Sequence, residues 1–443
     1  MKGFGRFSIK TLSRDEKIHF CINIGIGMVI VLVLQFYENT NFGEQTLNKA
    51  FDYIIAKEAV ESAKLGNIAA QKNKRVAEQI VFFDMGKAYQ KRGNPLITPR
   101  DELAKIIEAA YRGKAKVIVL DILLEEKDCC HPEHDQKLSG VFQQMIQENA
   151  STKVIFPVRI GSDGEIKKNL FEDFIEHHPN FYPAIPYISA TVSDRVVRYW
   201  VPYEMIKGGD RTPFLWNASF LGAALAHGKE DEMKTISQKM KEQKAPEAHR
   251  IQLSDMKEIE ISPRREDLYR NRIRFFLIPE NTLSKYPGGN LFELVSDVDE
   301  VGYVTFKDRV VIIGNGNPGA GDIHLTPVGY MPGMYIIGNA LNTILLGLQP
   351  SHPSRVLNML LEFFVIIVAA YILSRFPPLL IKILKSVVLI SVLSALSYYY
   401  FLKTGVLLNF TFAVVGMGFH DMAMSIEKVL VKKKKKEAKE GDP

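Results

Sequence analysis

Lys116–Leu123 reads KVIVLDIL, a short run of β-branched and apolar residues interrupted only by Asp121. Three other segments share its form: Gln79–Asp84 (QIVFFD), Lys153–Val158 (KVIFPV) and Arg309–Gly314 (RVVIIG). Runs this short and this apolar, without alternation, suit strands buried on both faces of a sheet. Segments of helical period lie between them. Thr98–Tyr111 places Leu103, Ile106, Ile107 and Ala110 on one face behind a Thr-Pro start, and Asp135–Asn149 has the same character, with Asp135 as its N-cap. Strands alternating with helices predict an α/β domain, helix-flanked, with a mostly parallel sheet.

Outward from this frame the pattern changes. Arg195–Glu204 and Arg272–Ile278 add two further strand-like runs. Residues 228–268 are dense in Lys and Glu, broken by Pro246 and Pro263, and predict a long surface loop or a solvated helix outside the core. Residues 37–78 carry Phe51, Ile54, Ile55, Ala59 and Ala63 at helical spacing, as in a stalk helix.

Four apolar stretches flank the domain: Phe20–Leu34 before it, then Val356–Leu373, Leu379–Phe401 and Val406–Met424. Each predicts a transmembrane helix. The division that follows is a basic leader over 1–17, a first span over 18–37, an exterior domain over 38–353, three spans over 354–425 and a lysine-rich tail over 426–443. The chain ends its first apolar run on Gln35-Phe36-Tyr37 with no small-residue cleavage pattern, so an uncleaved anchor is expected. Lys2, Arg6, Lys10, Arg14 and Lys17, then Arg375, Lys382 and Lys385, then the tail lysines all fall on one side of such a membrane. The positive-inside rule puts both termini in the cytoplasm and the domain in the periplasm, at a bacterial inner membrane.

The net charge of +6 over 443 residues is concentrated at these ends, which argues against nucleic acid as a partner. Lys432, Lys433, Lys434, Lys435 and Lys436 form a membrane-surface candidate for acidic headgroups. His420-Asp421 sits toward the inner end of the last stretch, where an interfacial position explains it. Three cysteines, two of them adjacent, make no disulfide framework.

Val310–Leu346, VVIIGNGNPGAGDIHLTPVGYMPGMYIIGNALNTILL, resembles the closing part of the type 2 CHASE domain. The matching features are a strand, Asp322, Thr326-Pro327, Met331-Pro332-Gly333 and a helix with Asn339-Ala340. Asp84 and Asp121 match the opening half more loosely. The resemblance runs over roughly residues 40–425 and implies an extracellular or periplasmic sensor domain, of the kind found in bacterial membrane-bound histidine kinases and adenylate cyclases. The stretch at 228–268 is longer than the resemblance suggests, and no kinase or cyclase module follows the last apolar stretch. A stand-alone sensory subunit that passes its signal to a separate cytoplasmic partner is the expectation, and an envelope scaffold binding a periplasmic or outer-membrane protein is the alternative. A homodimer is compatible with either.

Asp84, Asp121, Asp322, His324 and Thr326 are the ligand-binding candidates, because ligands of open α/β sheets gather outside the carboxyl ends of the strands. Capping and turn roles compete for the same residues. Gly314, Gly316 and Gly319 spell G-x-G-x-x-G after a strand, but Pro318 and Thr326-Pro327 oppose the helix that dinucleotide binding requires. Cys129, Cys130, His131 and His134 are candidate metal ligands with poor spacing for a structural zinc site. No catalytic constellation occurs, and neither an enzyme nor a cofactor is expected.

Overall fold

A computed structural model describes residues 41–349 with breaks at 73–76, 93–96, 129, 163–164, 187, 192, 207–213, 243–248, 255–256, 262–270, 279–292, 296–304, 318 and 320. Beyond them it describes isolated residues between 24 and 29 and between 360 and 402. The chain divides into two compact units, Phe51–Pro350 and a second made of Met1–Ala50 with Ser351–Pro443. The first carries the sheet.

Its helices are α1 (Asn41–Lys72, beginning in the other unit), α2 (Gly86–Arg92), α3 (Arg100–Arg112), α4 (Pro132–Gln147), α5 (Glu172–His177), α6 (Ala218–Ala226), α7 (Glu230–Glu242) and α8 (Gly333–Leu345). Its strands are β1 (Ile80–Asp84), β2 (Val117–Asp121), β3 (Lys153–Pro157), β4 (Phe181–Ala184), β5 (Ile188–Ala190), β6 (Val197–Trp200), β7 (Tyr203–Met205), β8 (Phe214–Trp216), β9 (His249–Ser254), β10 (Lys257–Ile261), β11 (Glu293–Val295), β12 (Val310–Gly314), β13 (Ile323–Thr326) and β14 (Gly329–Pro332).

Six strands form one sheet in the order β11-β1-β12-β2-β3-β4, and every pairing is parallel. The chain lays down β1, skips a position, and runs outward through β2, β3 and β4. It returns to add β11 at the far edge and β12 in the gap. Burial alternates in two sets along each central strand. Ile80, Phe82, Val117, Val119, Val310 and Ile312 join a core with α6, α7 and α8. Val81, Phe83, Ile118, Leu120, Val311 and Ile313 join another with α3 and α4. Both faces are dry, which is why the strands read as continuous apolar runs.

The four membrane-spanning helices expected from the sequence do not appear among the described residues. Among the described residues no helix is long and apolar enough to cross a membrane. A crossing needs about 20 predominantly apolar residues. The longest described helix, α1, has 32 residues but carries Glu44, Lys49, Asp52, Lys57, Glu58, Glu61, Lys64 and Lys72. The stretches Phe20–Leu34, Val356–Leu373, Leu379–Phe401 and Val406–Met424 lie for the most part outside the described residues, as do His420, Asp421 and Lys432–Lys436.

Other expectations are revised locally. Within 228–268 the described residues form a helix, one of the two forms expected, and a hairpin, and both reach the core. Helix α7 turns Met233, Ile236 and Met240 inward, and β9 pairs with β10 and buries Ile251, Leu253 and Ile259. Their apolar positions are few and hidden among charges. Helix α4 starts at Pro132 with His131 before it, so Asp135 lies inside the first turn and is not its cap. Arg272–Ile278 is fully buried but joins no ladder beyond a single bridge to Tyr199. Side chains of α8 hold its backbone instead. The Leu277 amide donates to Asn339 Oδ1 at 2.8 Å, Asn339 Nδ2 donates to the Leu277 carbonyl at 2.8 Å, and the Arg274 amide donates to Thr343 Oγ1 at 3.0 Å.

Candidate functional site

The parallel register aligns Asp84 with Gly314 and Gly314 with Asp121, so both aspartates stand on either side of β12 at the carboxyl edge of the sheet. Beyond β12 the chain runs through Asn315–Gly321 into the β13–β14 hairpin, which returns Asp322 and His324 to the same edge. This is the position where a strand inserted late between two earlier ones leaves a crevice.

Asp84 organises the edge from below. Its Oδ1 accepts the amides of Gly86 at 2.8 Å and Gly316 at 2.7 Å, and its Oδ2 accepts the Tyr335 hydroxyl at 3.1 Å. The Gly316 amide is therefore spent on a side chain, and the strand continues into a loop. No described helix starts between β12 and β13, so the glycine triad offers no helix N-terminus to a pyrophosphate. A Cβ on Gly316 would lie 2.3 Å from Asp84 Oδ2, so glycine is required for the approach. Burial pushes the Tyr335 hydroxyl well above its ordinary value, and the Asp84 charge beside it adds to the effect.

Asp322 sits against the start of α8, where a Cβ on Gly333 would come within 2.1 Å of its Oδ2. The Gly333 amide donates to the Asp322 carbonyl at 3.2 Å, and Asp322 Oδ1 pairs with His324 Nε2 at 2.8 Å. That hydrogen bond holds the His324 imidazolium form and raises its pKa. Asp121 is half-buried at its rim. Burial first, and the Asp322 charge second, push its carboxyl up to about 8, with His324 opposing. The edge thus combines the hydrogen-bonded pair of Asp322 and His324 with a carboxyl, Asp121, that changes charge near pH 8. Thr326 takes no part: it is buried and donates to the Gly329 carbonyl at 2.6 Å, closing a turn that Gly329 enters at φ +122°.

The raised Asp121 carries a pH signature. Between its ordinary value of 3.8 and about 8 the folded chain keeps a proton that the unfolded chain releases, so stability falls as pH rises through that window. The slope is bounded at about 1.4 kcal/mol per pH unit and reduced by the solvent reaching the carboxyl. Asp121→Asn is expected to remove this decline, as measured by urea unfolding at pH 5, 7 and 9.

The other described candidates fall elsewhere, at the start of α4 and just before it. Cys129 lies outside the described residues, and Cys130 is exposed. Glu133, not Cys130, completes the described group whose ligand atoms lie within 4.8 Å of one another, with His131 and His134. Sequence reading missed Tyr335 and named Gly333 only as part of the Met331-Pro332-Gly333 match; only the return of α8 to the strand ends shows their role.

No curated protein and no solved structure matches the chain. The model of the CHASE2 domain matches it over residues 27–374, most of its length. The chain belongs to the CHASE2 domain family of extracellular sensors, and its role is sensory.

Proposed function

We propose that the carboxyl edge of the sheet, with Asp84, Asp121, Asp322 and His324, is where this sensor receives a small ligand or an envelope condition such as pH, and that α1 carries the result to a separate protein partner. One observation carries the reading, a continuous path of buried contacts between edge and helix. Tyr335 on α8 donates to Asp84 at the edge. One and two turns on, Asn339 and Thr343 hold the Arg272–Ile278 backbone. From that segment Arg274 reaches Glu58 on α1, with Nε to Oε2 at 3.1 Å. Nearby, Arg198 Nε donates to Asp52 Oδ1 at 2.8 Å, and Arg272 lies over the Phe51 ring at 4.3 Å. A movement of α8 therefore reaches α1 through side chains that have no solvent to yield into.

Signalling requires that the stimulus bind two arrangements of this path unequally. The family's extracellular assignment supports a position outside the cytoplasm, and we propose the inner membrane as its site and a cytoplasmic effector as its partner. Amide exchange on the full chain tests the path. Asp322→Ala is expected to change protection in 271–278 and in 52–62 as well as at the edge, and to abolish the response to stimulus. Changes confined to 314–335 would sink the proposal. Cross-linking in the native membrane, followed by mass spectrometry, tests the partner: recovery of periplasmic or outer-membrane proteins alone would overturn the effector reading.

A further inference from the structure

We propose that His131, Glu133 and His134, on the opposite core layer from α8, form a surface site for a divalent cation of the zinc, copper or nickel kind. The site is independent of the carboxyl edge. It is built by the start of α4. Asp128 Oδ1 accepts the amides of Cys130 at 3.1 Å and His131 at 3.0 Å, and Pro132 opens the helix. This fixes the backbone of His131 one turn from His134. The two imidazoles stack with centroids 4.8 Å apart and planes inclined by 22°. Glu133 Oε1 lies 3.2 Å from His131 Nδ1 and 3.9 Å from His134 Nε2, so one carboxylate oxygen faces a nitrogen of each ring. Around a tetrahedral ion with bonds of about 2.0–2.2 Å the donors stand about 3.3–3.6 Å apart, so the Glu133–His131 pair already fits and His134 must draw closer. His131 and Glu133 are exposed and have room to rotate.

The surroundings favour a cation there. Beneath His134, Arg92 and Arg100 are met by Asp101, Asp128 and Asp135, and Glu133 adds a further negative charge above. His134 Nδ1 receives Arg92 at 2.6 Å and lies 3.6 Å from Asp101 and 3.9 Å from Asp128. Arg92 can only donate, so in this arrangement Nδ1 accepts and Nε2 carries the proton. A metal on Nε2 moves that proton to Nδ1, which requires Arg92 to withdraw and leaves Asp101 and Asp128 to accept it. Such a partner orients the ring and raises its basicity as a ligand. Two imidazoles and one carboxylate select borderline transition cations over magnesium or calcium, which prefer all-oxygen sites.

Calorimetric titration of zinc into the purified full chain tests the site. Wild type is expected to bind one equivalent, unaffected by excess magnesium or calcium. His131→Ala with His134→Ala is expected to abolish this binding while the circular dichroism spectrum stays unchanged. Asp101→Asn is expected to weaken binding about tenfold through the loss of His134 orientation. Cys130→Ser is expected to bind as wild type. Retained binding in the double histidine variant would overturn the proposal, and so would loss of binding in Cys130→Ser alone, which would assign the metal to the thiol.

Discussion

Glu58→Ala is expected to destabilise the domain by about 3–5 kcal/mol, because it removes the buried carboxylate paired with the Arg274 guanidinium. Both side chains are buried, at 3% and 4% exposure, and their closest approach is 2.5 Å. Arg274 packs over the Phe276 ring at 5.4 Å, and no bulk water lies beside it to replace the lost carboxylate. Urea unfolding measures the loss. The paired variant Glu58→Leu with Arg274→Met is expected to recover most of it, since a buried ion pair replaced by apolar residues of similar volume is often neutral in stability. That recovery separates the two roles of the pair. If the ion pair transmits the signal, the paired variant folds but its α1 no longer responds to Asp322→Ala in amide exchange. If it responds as wild type, the pair serves stability alone.

Phe82→Ala is the second large effect, at about 3–5 kcal/mol. The Phe82 ring is fully buried between β1 and α8, and its centroid lies 5.3 Å from that of Tyr335. Gly338 provides the notch: a Cβ there would lie 2.1 Å from Phe82 Cζ. Emptying the notch removes the contact that sets the height of α8 over the sheet, and with it the reach of Tyr335 to Asp84. Gly338→Ala strains the same contact from the other side and is expected to cost about 1–3 kcal/mol by overpacking. Denaturant midpoints measure both. Equal stability of either variant and wild type would mean that α8 is not held where Tyr335 needs it.

The sheet was legible in the chain because its chemistry is local. A strand buried on both faces must be apolar at every position, so β1, β2, β3 and β12 announce themselves within five or six residues. The aspartates that end β1 and β2 were legible for the same reason, as the only charges in otherwise apolar runs. Helix α7 was harder to see, because Met233, Ile236 and Met240 are three apolar positions in a charged segment. The apolar stretches outside the domain were read as membrane spans from hydropathy alone. Hydropathy reports the preference of a segment and not its place in a fold, and among the described residues no helix meets the length and apolarity of a crossing.

By itself the sequence determined the α/β class, the mostly parallel character of the sheet and the acidic ends of two of its strands, since these follow from the pattern within each segment and the order of the segments along the chain. The tertiary structure alone decided which residues meet. β12 arrives some 190 residues after β2 and slots between β1 and β2, and that insertion brings Asp84, Asp121 and Asp322 to one edge. The pairing of Arg274 with Glu58 spans 216 positions, and that of Tyr335 with Asp84 spans 251. Nothing local in either partner specifies the other. The arginines are buried because packing removes the water around them, and only then does each need a carboxylate at a fixed place.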